Sequence, residues 1–211
     1  MNSKFWNDRY AASDEYVFGT APNDFLARCA LRIPAGGRVL CLAEGEGRNA
    51  VFLAELGYDV TAVDQSAAGL DKAAALAAAR GVRIRTEVAD LADYRIEPES
   101  WAGIVSIFTH LPQELRARTH AAAVAGLRPD GVFILEAYTP EQVKWKTGGP
   151  VGSPELLMTL EALRAELAGL NLIIAHEINR DVVEGSGHTG HAAVVQICGR
   201  KRHMSEACAQ K

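Results

Sequence analysis

Cysteine is scarce in this chain and poorly spaced for joint work. The four thiols, Cys29, Cys41, Cys198 and Cys208, form no Cys-x-x-Cys pair. That argues against a zinc framework or a disulfide scaffold, and reduced thiols in a cytoplasmic protein are the simple reading. Long apolar runs are also missing. No stretch reaches the ~20 residues that a membrane-spanning helix needs, and Met1-Asn2-Ser3-Lys4-Phe5-Trp6-Asn7-Asp8-Arg9 has no apolar signal core. A basic surplus is absent. The 22 Lys and Arg face 26 Asp and Glu, for a net charge of −4. Nothing global would neutralise a phosphate backbone, so neither nucleic acid nor membrane is an expected partner. No internal repeat and no strong linker divides the chain.

What is present suits one globular domain. The 211 residues are 48% hydrophobic and 23% charged, enough to bury a full core. The expected organisation is a single domain over residues 1–200, with an aromatic and helical cap segment over 1–35 and a polar, frayed tail over 201–211. The cap carries Phe5, Trp6, Tyr10, Tyr16 and Phe18, and Asn23 to Arg32 reads as a helix stopped by Pro34-Ala35-Gly36-Gly37. Strands and helices then alternate. Val39–Leu42, Val60–Val63, Val82–Val88, Ile104–Phe108 and Val132–Ala137 read as strands. Asn49–Leu56, Ala67–Arg80 and Pro112–Ala125 read as helices, with Pro112 as first helical residue and Pro129-Asp130-Gly131 as a turn. Uninterrupted apolar strands alternating with helices predict a mainly parallel sheet covered on both faces. After a helix near Glu155–Ala168, Leu172–Ile178 and Ala192–Ile197 leave no room for a helical crossover, so they are expected as antiparallel neighbours.

The densest signal is Val39-Leu-Cys-Leu-Ala-Glu-Gly-Glu-Gly-Arg-Asn-Ala50. An apolar strand breaks into Gly45-Glu46-Gly47 and opens a helix, an arrangement that brings backbone N–H groups to a nucleotide-like ligand. Asp64 ends the second strand, where a carboxylate can accept from two ribose hydroxyls. The same residues satisfy a dinucleotide pattern with alanine in the third place. Glu44 and Glu46 tilt the choice. They would repel a pyrophosphate and attract a ligand with a ribose, an amine and a sulfonium, which is S-adenosylmethionine. An NAD-dependent oxidoreductase and a non-catalytic S-adenosylmethionine-binding module stay as alternatives.

These motifs, together with Val60-Thr-Ala-Val-Asp-Gln-Ser66, Asp90-Leu91 and Leu127-Arg-Pro-Asp-Gly-Val-Phe-Ile-Leu135, resemble those of class I S-adenosylmethionine-dependent methyltransferases. Trp6-Asn-Asp-Arg-Tyr10 and Tyr16-Val-Phe-Gly-Thr-Ala-Pro-Asn-Asp-Phe25 resemble the tellurite-resistance and thiopurine-type branch more narrowly. The resemblance implies an α/β, Rossmann-like three-layer sandwich. Its seven-stranded sheet would have the order 3-2-1-4-5-7-6, with strand 7 antiparallel. It implies that Gly45 and Gly47 admit the methionine part of the cofactor and that Asp64 holds the ribose, with Gln65 beside the adenine. Asp90 would accept from the adenine amino group, near the Leu91 N–H. Family members carry an acid and a glycine where this chain has Cys41 and Ala43; Glu44 would then stand in near the cofactor's ammonium. Asp90 as a turn cap, Glu44 as a solvated charge and Cys41 as a core residue are the plainer readings.

Ligands of open α/β sheets bind beyond the carboxyl ends of the strands. There the sequence places Phe108-Thr109-His110, Glu136-Ala137-Tyr138 and the loop Thr139–Ser153 with Trp145 and Gly148-Gly149. The loop suits a lid, with Trp6, Tyr10, Tyr138 and Trp145 facing substrate, or it is a solvated connector. Trp6 and Tyr10, four apart on a helix, are equally a packing pair. His110, His188 and Glu136 are the candidates for base or orienter, with His188 and His191 expected in a hairpin turn. The expected activity is methyl transfer to a small acceptor, with thiol, selenium and tellurium species as candidates and S-adenosylhomocysteine as product. No metal is expected, and the oligomeric state is not readable.

Overall fold

The computed structural model describes residues 2–145 and 147–202. Alternating strands and helices from Arg38 onward wind into one seven-stranded sheet, built from β1 (Arg38–Leu42), β2 (Asp59–Asp64), β3 (Arg85–Val88), β4 (Trp101–Ile107), β5 (Leu127–Tyr138), β6 (Leu170–Glu184) and β7 (His188–Lys201). The order is β3-β2-β1-β4-β5-β7-β6. Neighbours from β3 to β5 are parallel, and β7 runs antiparallel to both β5 and β6. The helices are α1 (Ser3–Ala11), α2 (Asp24–Cys29), α3 (Arg48–Glu55), α4 (Ala67–Ala79), α5 (Gln113–Gly126) and α6 (Leu160–Glu166). Among the described residues no helix is long and apolar enough to cross a membrane.

Period-two alternation splits the core into two layers. Val39 and Cys41 of β1 face one cluster with Phe25, Leu26, Ala50 and Leu53, while Leu40 and Leu42 face the other with Ala123, Leu163 and Leu167. Burying both faces explains why the central strands read as unbroken apolar runs. Cys41 is a fully buried core residue.

Several boundaries differ from the sequence reading. Strand β3 starts at Arg85 because Val82 N still donates to Ala77 O, closing the end of α4. Pro112 is the N-cap of α5 rather than its first residue. Pro129-Asp130-Gly131 bulges out of β5: Trp101 pairs with Leu127, but Gly103 already pairs with Val132. The helix expected over 155–168 splits, because Thr159 caps α6 by accepting from Ala162 N. The last hairpin is longer than its apolar core, with pairing continuing to Glu184↔His188. His188 and His191 are therefore on β7 rather than in the turn. Arg200 and Lys201 are also in the sheet, and Lys201 Nζ donates to Leu127 O at 2.6 Å. The rest of the expected tail, from residue 203, lies outside the described residues.

Candidate active site

The turn after β1 is held by carboxylates. Ala43 adopts φ 50°, the left-handed region where glycine is cheaper. Glu44 turns toward α3 instead of solvent: its Oε1 accepts from Asn49 N at 3.0 Å and Ala50 N at 2.8 Å. Enclosure pushes its carboxyl up to about 7, against the lowering pull of these N–H groups and Arg48. Asp64 ties the tips of β1 and β2 together, Oδ2 accepting from Gly45 N and Oδ1 from Ser66 N, both at 2.8 Å. Burial raises its pKa against those bonds. Glu46 is a clip for the N-terminal segment, accepting from Val17 N at 2.8 Å and from Lys72 Nζ at 2.9 Å.

The two glycines of the turn do different work. A Cβ on Gly47 would lie 2.5 Å from the Ala73 Cβ, so Gly47 serves the close approach of α3 and α4. A Cβ on Gly45 would lie 2.7 Å from the Tyr10 hydroxyl. Tyr10 is buried over Gly45 and stacks on Trp6 at 5.5 Å. Burial and the charges of Asp64, Glu46 and Glu44 drive its phenol far above the ordinary value. On the same helix, Asn7 Oδ1 accepts from Ser66 Oγ and Ala68 N, fixing α1 on the start of α4. Gln65 is half-buried next to Asp64. Asp90 is exposed and caps its own turn, accepting from Ala92 N at 2.8 Å, with Leu91 half-buried beside it.

Beyond β4 and β5 lies a cluster of rings. Phe108, at φ 53°, places its ring 4.6 Å from Tyr138 and 4.7 Å from His188. Phe18 lies 4.5 Å from His188, and His110 stacks 5.6 Å from Tyr138. His110 Nδ1 donates to Leu156 O at 3.1 Å, while its Nε2 is buried with no partner. Desolvation lowers the His110 pKa to about 4, so the ring is neutral. Gly149 covers Tyr138, where a Cβ would sit 2.4 Å from the ring, and Gly187 covers Phe18 in the same way. The loop thus closes over Tyr138 with its glycines. Trp145 does not join the cluster: it is 40% exposed and lies edge-on to His191 at 4.4 Å.

Behind the rings is a buried charge network. Glu136 is fully buried; Arg180, Gln196 Nε2 at 2.6 Å and Asn23 Nδ2 at 3.3 Å all donate to it. Both carboxylate oxygens are thereby engaged, which ties Glu136 into the network. Glu184 accepts from Arg48 Nη2 at 2.6 Å and Asn23 Nδ2 at 2.8 Å. Asn23, Arg48, Arg180, Glu184 and Gln196 are the members that motif reading does not reach. Arg180 and Glu184 share a face four apart on β6, a relation that appears only once the strand is seen to run past Ile178. Among the described residues no group of three or more His, Cys, Asp or Glu side chains is placed to hold a metal ion.

The sheet order, the antiparallel β7, the glycine turn after β1 and the acid at the tip of β2 define the Rossmann-like fold of class I S-adenosylmethionine-dependent methyltransferases. Residues 39–131 match the protein family described as "Methyltransferase domain". No curated protein matches the chain. Among solved structures it is similar to a protein from work on the conversion of a disulfide bond into a thioacetal group during echinomycin biosynthesis, at 21% identity and TM-score 0.76, covering 98% of this chain and 95% of that one. It is also similar to TehB from Haemophilus influenzae, at 19% identity and TM-score 0.69, covering 93% and 67%. A third is an S-adenosylmethionine-dependent methyltransferase from Methanosarcina mazei, at 15% identity and TM-score 0.65, covering 86% and 99%. The methyltransferase-domain match over residues 39–131 and the shared fold make S-adenosylmethionine the cofactor to test against the site. The residues fit that cofactor: three carboxylates, of Glu44, Glu46 and Asp64, surround Tyr10 above a glycine without a Cβ.

Proposed function

We propose that the protein transfers a methyl group from S-adenosylmethionine to a small, soft acceptor, a thiol, selenium or tellurium species. One observation carries the cofactor side of this reading. The first free N–H groups of α3, where a dinucleotide would seat its pyrophosphate, already donate to Glu44. A nicotinamide cofactor would have to displace a carboxylate from a helix N-terminus, whereas a cationic ligand benefits from it. In this reading Glu44 faces the ammonium, Gly45 admits the methionine part, and Asp64 takes the ribose hydroxyls. Gln65, Asp90 and Leu91 line the adenine side, and Tyr10 and Trp6 close over the cofactor.

The cofactor, when bound, supplies a methyl group activated by its sulfonium. The protein's work is alignment and exclusion of water. In this reading the packed rings of Phe108, Tyr138, His110 and His188, with Phe18 and Gly149 against them, are the wall beside which a small acceptor meets the methyl group. A soft nucleophile needs little base assistance, consistent with an apolar wall that holds two histidines. The solved neighbour from the disulfide-to-thioacetal work supports the sulfur alternative by similarity. The test is parallel calorimetric titration with S-adenosylmethionine, S-adenosylhomocysteine and NAD, followed by a screen of thiols, selenide and reduced tellurium species. Binding of the first two without NAD, and a methylated small product, is the expected result. Binding of NAD alone would overturn the reading.

A further inference from the structure

We infer that Glu184, clamped by Arg48 and Asn23, is a positioning residue that holds His188 as the base for an uncharged protic acceptor, a thiol in its neutral form. The inference rests on the methyl-transfer reading above and narrows its acceptor class.

Glu184 ends β6 and His188 opens β7, paired across the hairpin. Arg48 and Asn23 fix the carboxylate from α3 and from the cap of α2. His188 Nδ1 then lies 3.5 Å from Glu184 Oε2 and is buried without a formed hydrogen bond, so the carboxylate acts on the ring as its nearest charge. An imidazole nitrogen facing a carboxylate is the one that carries the ring proton, which leaves the lone pair on Nε2. Phe18, Phe108 and Tyr138 fix the ring plane. The groups that set its titration are Glu184 of β6, Arg48 of α3 and Arg9 of α1, with His110 and Tyr138 across the ring cluster.

Charge balance points to the acceptor class. Arg48 and Arg180 are matched by Glu184 and Glu136, and Asn23 and Gln196 donate to the same carboxylates. Neither guanidinium of this buried network is left to meet an anionic acceptor, and the further cation Arg9 lies exposed over Phe18; burying an unpaired anion is costly. An uncharged thiol enters without that cost and must lose its proton inside. The S–H proton passes to His188 Nε2. The sulfur's electron pair forms the new S–C bond to the methyl group as the methyl–sulfonium bond breaks, its pair staying on the departing thioether. The imidazolium keeps its Nδ1 proton toward Glu184 and gives the Nε2 proton back to solvent as the product leaves.

The test compares the wild type, H188Q and E184Q on 2-mercaptoethanol, which is neutral at pH 7, and on 4-nitrothiophenol, which is ionised there. Both variants are expected to lower kcat for 2-mercaptoethanol on the order of 100-fold, the scale of general-base catalysis, and to spare the thiolate. Their affinity for S-adenosylmethionine should not change. Independently of turnover, the His188 imidazole titration followed by NMR should move to lower pH in E184Q, where the neighbouring negative charge is gone. H188Q keeps the Arg48–Glu184 pair and carries the test if E184Q does not fold. Equal slowing of both acceptors, or an unmoved His188 titration, overturns the inference alone. A wild type that binds no S-adenosylmethionine overturns the function on which it rests.

Discussion

A single carboxylate oxygen of Glu44 accepts the N–H of Ala50 at 2.8 Å, capping α3 from the turn that precedes it. The bond makes Glu44 both a structural cap and a negative charge at the proposed cofactor site. Glu44→Ala should therefore lower folding stability by about 0.5–2 kcal/mol, the scale of a lost N-cap. It should also weaken S-adenosylmethionine binding by about 1–3 kcal/mol, the scale of a charge-assisted bond. Glu44→Gln should recover part of the stability and little of the affinity. Urea denaturation and calorimetry read the two separately. A Gln variant with wild-type affinity would remove the charge from the argument.

The same carboxyl predicts a pH dependence. Its pKa is raised from 4.5 to about 7, so the folded protein holds this proton more tightly than the unfolded chain. The stability it contributes is fully present below pH 4.5 and is lost as pH rises through 7. A cationic ligand favours the ionised form, so S-adenosylmethionine binding should strengthen over that same window and release a proton. Melting curves of wild type and Glu44→Gln from pH 4.5 to 8 should converge or cross, and titrations in two buffers of different ionisation enthalpy should report the proton. Parallel melting curves and no proton release would refute both statements.

Gly45 and Gly47 should separate on mutation, although the sequence pattern treats them alike. Gly47→Ala drives a Cβ into the Ala73 backbone and side chain at φ 90°. It should cost about 1–3 kcal/mol of folding stability, as overpacking and backbone strain do. Gly45→Ala meets the movable end of Tyr10. It should cost less stability and more cofactor affinity. The pair is read by urea denaturation beside calorimetry, and the reverse ranking would place Gly47, not Gly45, against the cofactor.

The sheet was legible because its strands are apolar runs and its turns carry Gly, Pro and Asp at fixed offsets. The antiparallel ending followed from the short connection between two such runs. The hairpin extension was not legible, since Asn179, Arg180 and Asp181 look like loop residues. They are held in β6 by pairing with β7. The charged residues of the site were half legible. Glu44 and Asp64 stand in a motif, but the partners of Glu136 come from three separate segments. Asn23, Arg180 and Gln196 meet it only after the sheet has assembled. The role of Glu46 was likewise invisible, because its partners Val17 and Lys72 lie 29 and 26 residues away.

The network around Glu136 should behave as a buried pair whose halves depend on each other. Glu136→Ala leaves Arg180 buried beside an empty place, and such breaks cost about 3–5 kcal/mol. Replacing both residues by methionine should cost much less than the sum of the single changes, because no charge is then left uncompensated. A urea double-mutant cycle measures the difference. Glu136→Gln is the sharper probe of chemistry. Because Arg180, Gln196 and Asn23 already occupy both oxygens, the glutamine should lower stability while the pH profile of methyl transfer keeps its acid limb. Loss of that limb in Glu136→Gln would move the base from His188 to Glu136 and turn the network from scaffold into catalyst.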